Sequence, residues 1–353
     1  MTAKRAAEAA NGPHPLAVDT GGGRLDDAEP TEDQPPVTAV VTTYDRSDSA
    51  KRAVESVLDQ TYEELELVVV EDGTDSGIGD WLDAEGIDAR YIRHDANRGL
   101  AAARNTAIAT SRTDYIAFLD DDDEWKPRRI ERTVERLHAV PQEQRDRLGV
   151  VYCGTERRSN GQVLSIGHPE NEGNLATAIM TDGASTLPSS CLFPRAALVA
   201  VGGYDESLPS SIDHDIWMAL AVEGYDAFTV DEPLVVTHNP FEASMSTDTA
   251  RRIEGVRLYA EKWTPVYQAW FGSQRGREYA CRYFAAVIGR LAASKLVTGQ
   301  TSEATTALGE IVRTCGYRWF LPQIIIRQVF KAVLKRFLPP LAVRHMSALA
   351  HRL

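Results

Sequence analysis

Cysteine and lysine are both scarce in this chain of 353 residues, which has four cysteines and only seven lysines against 31 arginines. The cysteines, at positions 153, 191, 281 and 315, lie far apart and form no C-x-x-C pair. Such spacing is typical neither of a zinc site nor of a small domain held together by disulfides. We therefore expect reduced and mostly buried thiols.

Long apolar runs are also absent. Residues 1–36 lack the continuous apolar stretch of a signal peptide and are rich in glycine, proline and acidic residues, which predicts a disordered acidic tail. The most apolar stretches elsewhere, 284–299 and 319–343, are each interrupted by lysine and arginine, so that neither suits a membrane span. These absences predict a protein that works in the cytoplasm.

Positive charge is scarce in the first 250 residues, whose net charge is −25, whereas residues 251–353 carry 17 basic and 5 acidic side chains. A lysine-poor, acidic chain suits a high-salt cytoplasm that screens its self-repulsion, so the composition indicates a halophilic protein of haloarchaeal type. The basic C-terminal region suggests peripheral contact with the cytoplasmic face of the membrane. The alternative is a helix packed on its own domain with solvated charges. No nucleic-acid recognition motif accompanies the basic residues, so we expect no nucleic-acid partner.

Strand-like and helix-like patterns alternate in the first half of the chain. Apolar, largely β-branched runs predict strands over residues 37–41, 65–70, 89–92 and 115–119, and helical spacing of apolar residues lies between and after them. This alternation predicts an α/β fold with a largely parallel sheet covered by helices on both faces.

The second half of the chain is more mixed and becomes continuously helical after residue 247, with breaks at Gly272, Gly299 and Gly316. We therefore predict three parts. They are the acidic tail (1–36), an α/β domain (37–247) and a basic helical C-terminal region (248–353).

Polar clusters follow three of the predicted strands, at Thr42–Tyr44, Glu71–Asp72 and Asp120–Asp123. Ligands of parallel sheets bind at the carboxyl ends of the strands, so these clusters should converge. Four adjacent aspartates repel one another unless a cation neutralises them, and Mg²⁺ or Mn²⁺ prefers such oxygen ligands. The sequence therefore predicts a divalent metal site, with a solvated acidic turn as the alternative.

Seven short blocks resemble, in order and spacing, those of family 2 glycosyltransferases over roughly residues 37–247. The blocks are VVTTYDR (40–46), SVLDQTY (56–62), VVEDGTD (69–75), NRG with ARN (97–105), YIAFLDDDDEW (115–125), GGYD (202–205) and DHDIW (213–217). The resemblance implies the GT-A fold, a nucleotide-sugar donor, a divalent metal and inversion at the anomeric carbon.

The resemblance assigns five residues to the donor nucleotide. Thr42 and Tyr44 would lie beside the base, with Tyr44 stacking on it, and Asp72 would accept a hydrogen bond from the base edge. Asp121 would contact the ribose. Arg104 would reach the acidic cluster or the diphosphate, with a structural ion pair as the alternative.

The resemblance also assigns the ligands of the metal ion, which would be Mn²⁺ or Mg²⁺. Asp122 would bind the ion, with Asp120 supporting the loop, and His238 would approach the metal or the diphosphate. Because four aspartates stand in a row, the assignment is uncertain by one position. Glu71 departs from the commoner Asp-Asp pair of the family.

The residues that the resemblance assigns to the acceptor lie in the DHDIW block. Asp213 matches the family's catalytic base, which deprotonates the acceptor hydroxyl on the face opposite the leaving group. Its alternative role is a helix N-cap. Asp215 and Trp217 would shape the acceptor pocket, with a plain core position as the alternative for Trp217.

The function expected from these residues is transfer of a sugar, from a UDP-sugar by default, to a lipid-linked glycan in glycoprotein or surface-polysaccharide assembly. A sugar-phosphate nucleotidyltransferase would need a glycine-rich basic loop after its first strand, whereas Val41 is followed by Thr-Thr-Tyr-Asp. A noncatalytic scaffold would not need the acidic residues. The glycosyltransferase is the preferred interpretation.

Overall fold

The computed structural model describes residues 34–159, 161–169, 171–181, 187–238 and 248–337. These residues form two compact units, one of residues 34–206 and 212–238, the other of residues 207–211 and 248–337. The tail predicted over residues 1–36 lies outside the described residues, apart from its last three. The carbonyl of Pro35 accepts a hydrogen bond of 2.8 Å from the Tyr62 hydroxyl.

The first unit is built on one mixed sheet, which contains ten strands within the described residues, in the order β3-β2-β1-β4-β9-β6-β10-β5, with β7 added to β6 and β8 to β10. The strands are β1 (Val37–Thr43), β2 (Leu65–Glu71), β3 (Arg90–Arg93), β4 (Tyr115–Asp120), β5 (Asp123–Trp125), β6 (Leu148–Ser159), β7 (Gln162–Gly167), β8 (Gly173–Asn174), β9 (Cys191–Pro194) and β10 (Asp226–His238).

The parallel part of the sheet brings the predicted polar clusters together. The β-branched sequence of β1 is buried along its whole length and pairs in parallel with β2 and β4. In that register Thr43 lies opposite Glu71, and Thr42 lies opposite Asp120. The predicted convergence at the carboxyl ends of the strands is therefore confirmed for the backbone.

The helices of the first unit pack around the sheet. They are α1 (Ser47–Leu58), α2 (Ile78–Ala84), α3 (Leu100–Thr110), α4 (Arg129–His138), α5 (Gln142–Arg145), α6 (Leu175–Met180), α7 (Arg195–Ala200) and α8 (Ile212–Glu223). The core side chains include Val54, Val69, Leu119, Val134 and Val151. The predicted α/β fold with helices around a sheet is present, and strand β10 of that sheet is bulged.

The second unit is helical, as predicted after residue 247. Its helices are α9 (Thr249–Phe271), α10 (Ser273–Val297), α11 (Thr301–Cys315) and α12 (Leu321–Phe337). The expected breaks at Gly272, Gly299 and Gly316 fall between successive helices, where each glycine has a positive φ. No helix within the described residues is long and apolar enough to cross a membrane.

The expectation of reduced cysteines is wrong for one pair. Cys281 of α10 and Cys315 at the end of α11 form a disulfide, with their Cα atoms 5.5 Å apart. Their separation of 34 residues hid the pair, because only the antiparallel packing of the two helices brings them together. Cys153 and Cys191 are free and buried, as expected, and burial raises the pKa of the Cys153 thiol to about 11.

Candidate active site

The four aspartates form the turn between β4 and β5. Asp121 is buried and accepts hydrogen bonds of 2.8 Å from the Thr43 hydroxyl and 3.1 Å from Arg46 Nη1. Burial raises the pKa of Asp121 to about 6, against the lowering effects of Arg46 and Thr43. The turn therefore concentrates negative charge that the protein alone neutralises only in part.

The other members of the turn differ in exposure. The side chain of Asp122 is 47% exposed and lies 3.5 Å from Arg46 Nη1. Burial and the neighbouring Asp120 raise the pKa of Asp122. Asp123 is buried, accepts a hydrogen bond of 2.6 Å from the Ser189 hydroxyl, and has a pKa well above the usual range because of burial and Asp120. Asp122 is thus the member of the turn best placed to meet a ligand.

Arg104 of α3 joins the acidic turn to Asp213. Its Nη1 lies 2.5 Å from Asp213 Oδ1, and its Nη2 lies 2.6 Å from Asp120 Oδ1. The guanidinium is fully buried, 5.6 Å from the ring centre of Phe118 and 5.1 Å from that of Tyr204. Burial opposes the charge, but the pull of Asp213 and Asp120 outweighs it and raises the pKa of Arg104. The structure thus places Arg104 in an ion-pair triad, and a contact with the nucleotide stays a prediction.

Asp213 lies in the first turn of α8. Because α8 begins at Ile212, Asp213 is its second residue and not the N-cap that the sequence suggested as an alternative. The residue before the helix, Ser211, has a φ of 68°, a left-handed conformation that is uncommon outside glycine. Asp215 and Trp217 are both 2% exposed, so their predicted place in an acceptor pocket stays a prediction.

Asp72 is buried and orders the loop that leads into α3. Its carboxylate accepts hydrogen bonds of 2.8 Å from the backbone N–H of Arg98 and 2.7 Å from that of Gly99. His94 Nδ1 lies 2.8 Å from the same carboxylate, and His94 Nε2 lies 2.9 Å from the Thr106 hydroxyl. The sequence analysis did not single out His94, because its signal is a lone histidine after a short strand.

Glu71 is buried beside Asp72 and holds the following turn. It accepts hydrogen bonds from the backbone N–H of Ser76 at 2.7 Å and from the hydroxyls of Thr74 at 3.0 Å and Tyr91 at 2.5 Å. Although burial opposes ionisation, these hydrogen bonds lower the pKa of Glu71. The glutamate that departs from the family's usual Asp-Asp pair therefore has a structural use in this chain.

The turn formed by Gly73 lies directly against the loop that Asp72 holds. Gly73 has a φ of 77°, and a Cβ there would lie 2.0 Å from the Asn97 nitrogen and 2.1 Å from the Ala96 carbonyl carbon. Gly77 has nearly the same φ, 78°, but nothing lies within 4 Å of its Cβ position. A side chain at either glycine would therefore meet the same backbone strain, but only a side chain at Gly73 would also meet neighbouring atoms.

Gly73→Ala is expected to destabilise the chain much more than Gly77→Ala. The left-handed backbone costs about 1–2 kcal/mol in both variants. Overpacking adds ~1–3 kcal/mol in Gly73→Ala alone, because two backbone segments must separate. Urea unfolding of both variants measures the difference, and equal losses of stability would contradict the close packing of the two loops.

The predicted base contacts lie at the end of β1. Tyr44 is 49% exposed and is followed by Asp45, whose φ of 55° turns the chain sharply. Thr42 is buried. An exposed aromatic ring at the carboxyl end of a parallel strand is available for stacking on a base.

His238 ends β10 within reach of the acidic turn. Its Nε2 lies 2.8 Å from Glu124 Oε1, and its charge lowers the pKa of Asp122. Among residues 34–337, as far as they are described, no three His, Cys, Asp or Glu side chains are arranged to hold a metal ion. A ligand role for His238 therefore stays a prediction.

Residues 38–174 match the family described as Glycosyl transferase family 2. A glycosyltransferase of Rickettsia bellii is 29% identical over 53% of this chain and 27% of its own length. One from Haemophilus influenzae is 23% identical over 66% of this chain and 78% of its own length. The putative teichuronic acid biosynthesis glycosyltransferase TuaG of Bacillus subtilis is 36% identical over 29% of this chain and 42% of its own. The chain thus spans less than half of two of these three relatives.

Two similar solved structures extend over most of the chain. S. aureus TarS (residues 1–349), in complex with UDP-GlcNAc, has a TM-score of 0.58 and 14% identity, over 85% of this chain and 91% of that one. The mannosyltransferase PcManGT of Pyrobaculum calidifontis, in complex with GDP-Man and Mn²⁺, has a TM-score of 0.51 and 17% identity, over 99% and 90%. At this identity the likeness shows the fold, which is GT-A. The likeness of this chain to glycosyl transferase family 2 is carried by residues 38–174.

Proposed function

We propose that this chain is a family 2 glycosyltransferase, a metal-dependent, inverting enzyme that transfers a sugar from a nucleotide-diphosphate sugar to a lipid-linked glycan. The observation that carries the proposal is the Arg104 triad. The Arg104 guanidinium binds both the candidate base, Asp213, and Asp120 of the acidic turn that would receive the diphosphate. A base and a diphosphate site on opposite sides of one sugar are what direct displacement requires.

The donor would bind at the carboxyl ends of β1, β2 and β4. Tyr44 has the exposed ring to stack on the base, and Asp121 is buried at the same sheet edge, against the Thr43 hydroxyl. Asp72 keeps its carboxylate at this edge while it orders residues 98 and 99. The complexes of TarS with UDP-GlcNAc and of PcManGT with GDP-Man are consistent with a nucleotide-sugar donor, and UDP is the default that the family suggests.

The donor set of the acidic turn fits a hard divalent cation. Asp120 and Asp122 offer carboxylate oxygens, and Asp120 raises the pKa of Asp122, a repulsion that a cation would remove. Mg²⁺ and Mn²⁺ commonly take one or two carboxylates together with substrate phosphates. When bound, the ion would neutralise charge on the departing nucleoside diphosphate. The Mn²⁺ in the PcManGT complex supports this assignment.

Asp213 would take the proton from the acceptor hydroxyl as that oxygen attacks the anomeric carbon. Attack from the side opposite the diphosphate inverts the configuration at that carbon. The carboxylate is 32% exposed, which leaves one side open to an acceptor while Arg104 holds the other. Asp215 and Trp217 would form the acceptor pocket only after a rearrangement that exposes them.

The acceptor class is argued from relatives and from charge. TuaG is named for teichuronic acid biosynthesis and WcaA of Escherichia coli for colanic acid biosynthesis. The basic region from residue 251 onward suits work beside anionic lipids at the cytoplasmic face of the membrane. A polyprenyl or dolichol phosphate carrier would present the glycan there. We also propose the organisation in three parts and the halophilic character that the sequence predicted.

Asp122→Ala is expected to weaken metal-dependent binding of UDP by about tenfold or more, because it removes the exposed carboxylate of the acidic turn. Isothermal titration with UDP, GDP and dTDP, each with and without Mn²⁺ in molar KCl, measures the effect. It also identifies which nucleotide base the donor carries. Asp146→Ala is the matched control, since this exposed aspartate precedes β6 at the other end of the sheet. Metal-independent binding, or equal binding by both variants, would contradict the proposed metal site.

A further inference from the structure

Helix α12 exposes apolar side chains in a regular row. One of its sides packs on the core of the helical unit through Leu321, Ile324 and Ile325. A different row, Ile326, Phe330 and Val333, is 67%, 48% and 38% exposed. The spacing of four and three residues places these side chains on one stripe of the helix. The packing of the unit therefore accounts for one apolar side of α12 and leaves the other uncovered.

Two exposed aromatic residues directly precede the helix. Tyr317 is 95% exposed and Trp319 is 74% exposed, with Arg282 5.6 Å from the indole ring centre. Tyrosine and tryptophan are enriched at membrane–water interfaces, where one end of the side chain is apolar and the other is wet. Large exposed aromatic side chains next to an exposed apolar stripe mark an interaction site.

The segment that contains this surface carries charge of one sign. Residues 311–353 contain eight lysines and arginines and no acidic residue, in a chain whose net charge is −13. Arg327 follows Ile326 along α12, and Lys331 follows Phe330. Burial, together with Arg327 and Arg290, lowers the pKa of Lys331. Like charges disfavour pairing of α12 with a second copy of itself, whereas an anionic surface would complement them.

We propose that the exposed face of α12, formed by Ile326, Phe330 and Val333, binds the surface of an anionic lipid bilayer together with Tyr317 and Trp319, which precede the helix. The apolar stripe enters the headgroup region, Arg327 and Lys331 contact lipid phosphates, and the helix lies parallel to the membrane plane. This contact does not depend on the transfer reaction, although it would place the enzyme beside a lipid-linked acceptor.

The test is flotation of the full-length protein with vesicles of phosphatidylcholine, with or without an equal part of phosphatidylglycerol. Wild type should float with the anionic vesicles only, and less so as salt rises. Ile326→Ser with Phe330→Ser should reduce the bound fraction about tenfold or more, and Arg327→Gln with Lys331→Gln should do so at low salt. Val163→Ser with Ile166→Ser, which changes two exposed apolar side chains of β7, is the matched control and should float like wild type.

Each outcome decides the proposal. Equal flotation with neutral vesicles, or wild-type flotation of the α12 variants, would overturn it. Sedimentation equilibrium completes the test, because self-association that these variants abolish, without flotation, would make the face an interface between copies. Circular dichroism confirms that the variants fold. Asp213→Asn should float like wild type, so a failure of the transferase proposal stays separate from a failure of this one.

Discussion

Asp213→Asn is expected to lower kcat on the order of 10²- to 10⁴-fold and to leave the affinity for the sugar nucleotide within about twofold. The asparagine amide cannot accept the proton of the acceptor hydroxyl. Its oxygen can still accept the hydrogen bond from Arg104 Nη1 that the carboxylate accepts at 2.5 Å. The variant therefore removes the proposed base while it retains the geometry of the triad. Nucleotide release in the presence of an acceptor membrane fraction measures kcat, and isothermal titration measures donor affinity.

A matched variant separates chemistry from helix electrostatics. Asp213 is an acidic residue in the first turn of α8, and Glu143 is one in the first turn of α5. A carboxylate near a helix N-terminus contributes a few tenths of a kcal/mol to about 1 kcal/mol in either place. Glu143→Gln should lose this stabilisation of the helix N-terminus and keep the wild-type kcat. The reason is that α5 precedes β6 at the end of the sheet remote from the acidic turn. An Asp213→Asn enzyme with wild-type kcat would show that another group is the base.

The sequence predicted the elements whose signals are local. The β-branched run of β1 appears within two residues of its predicted bounds. The glycine breaks between α9, α10, α11 and α12 were also correct, because a left-handed residue ends a helix at no steric cost to glycine. The register of β1 with β2 and β4 then follows from parallel pairing, and with it the convergence of the polar clusters.

Contacts between segments that are distant in the chain were harder to predict. Ser189 meets Asp123 across 66 residues, and His94 meets Asp72 across 22, so no spacing rule connects them. The Cys281–Cys315 disulfide depends on how α10 packs on α11. A resemblance supplies residue types for an active site but not the hydrogen bonds that position them.

Arg104→Met is expected to destabilise the chain by about 3 kcal/mol, near the lower end of the cost of breaking a buried ion pair. The guanidinium is fully buried, whereas the Asp120 and Asp213 side chains are 26% and 32% exposed and can regain water. Methionine fills much of the volume between Phe118 and Tyr204 but removes the guanidinium that binds both carboxylates. Urea denaturation measures the loss, and Arg128→Met, which removes an exposed arginine on a surface ion pair, should change stability little.

Arg104→Lys distinguishes charge from geometry in the same triad. An ammonium restores the positive charge, but a single nitrogen cannot donate to Asp120 and Asp213 in the planar fork of a guanidinium. We therefore expect Arg104→Lys to recover part of the stability and less of the kcat, since Asp213 would lose its fixed position. A double-mutant cycle of Arg104→Met with Asp213→Asn should give a coupling energy of roughly 0.5–3 kcal/mol. Additive effects would mean that Arg104 holds the acidic turn alone and does not position the base.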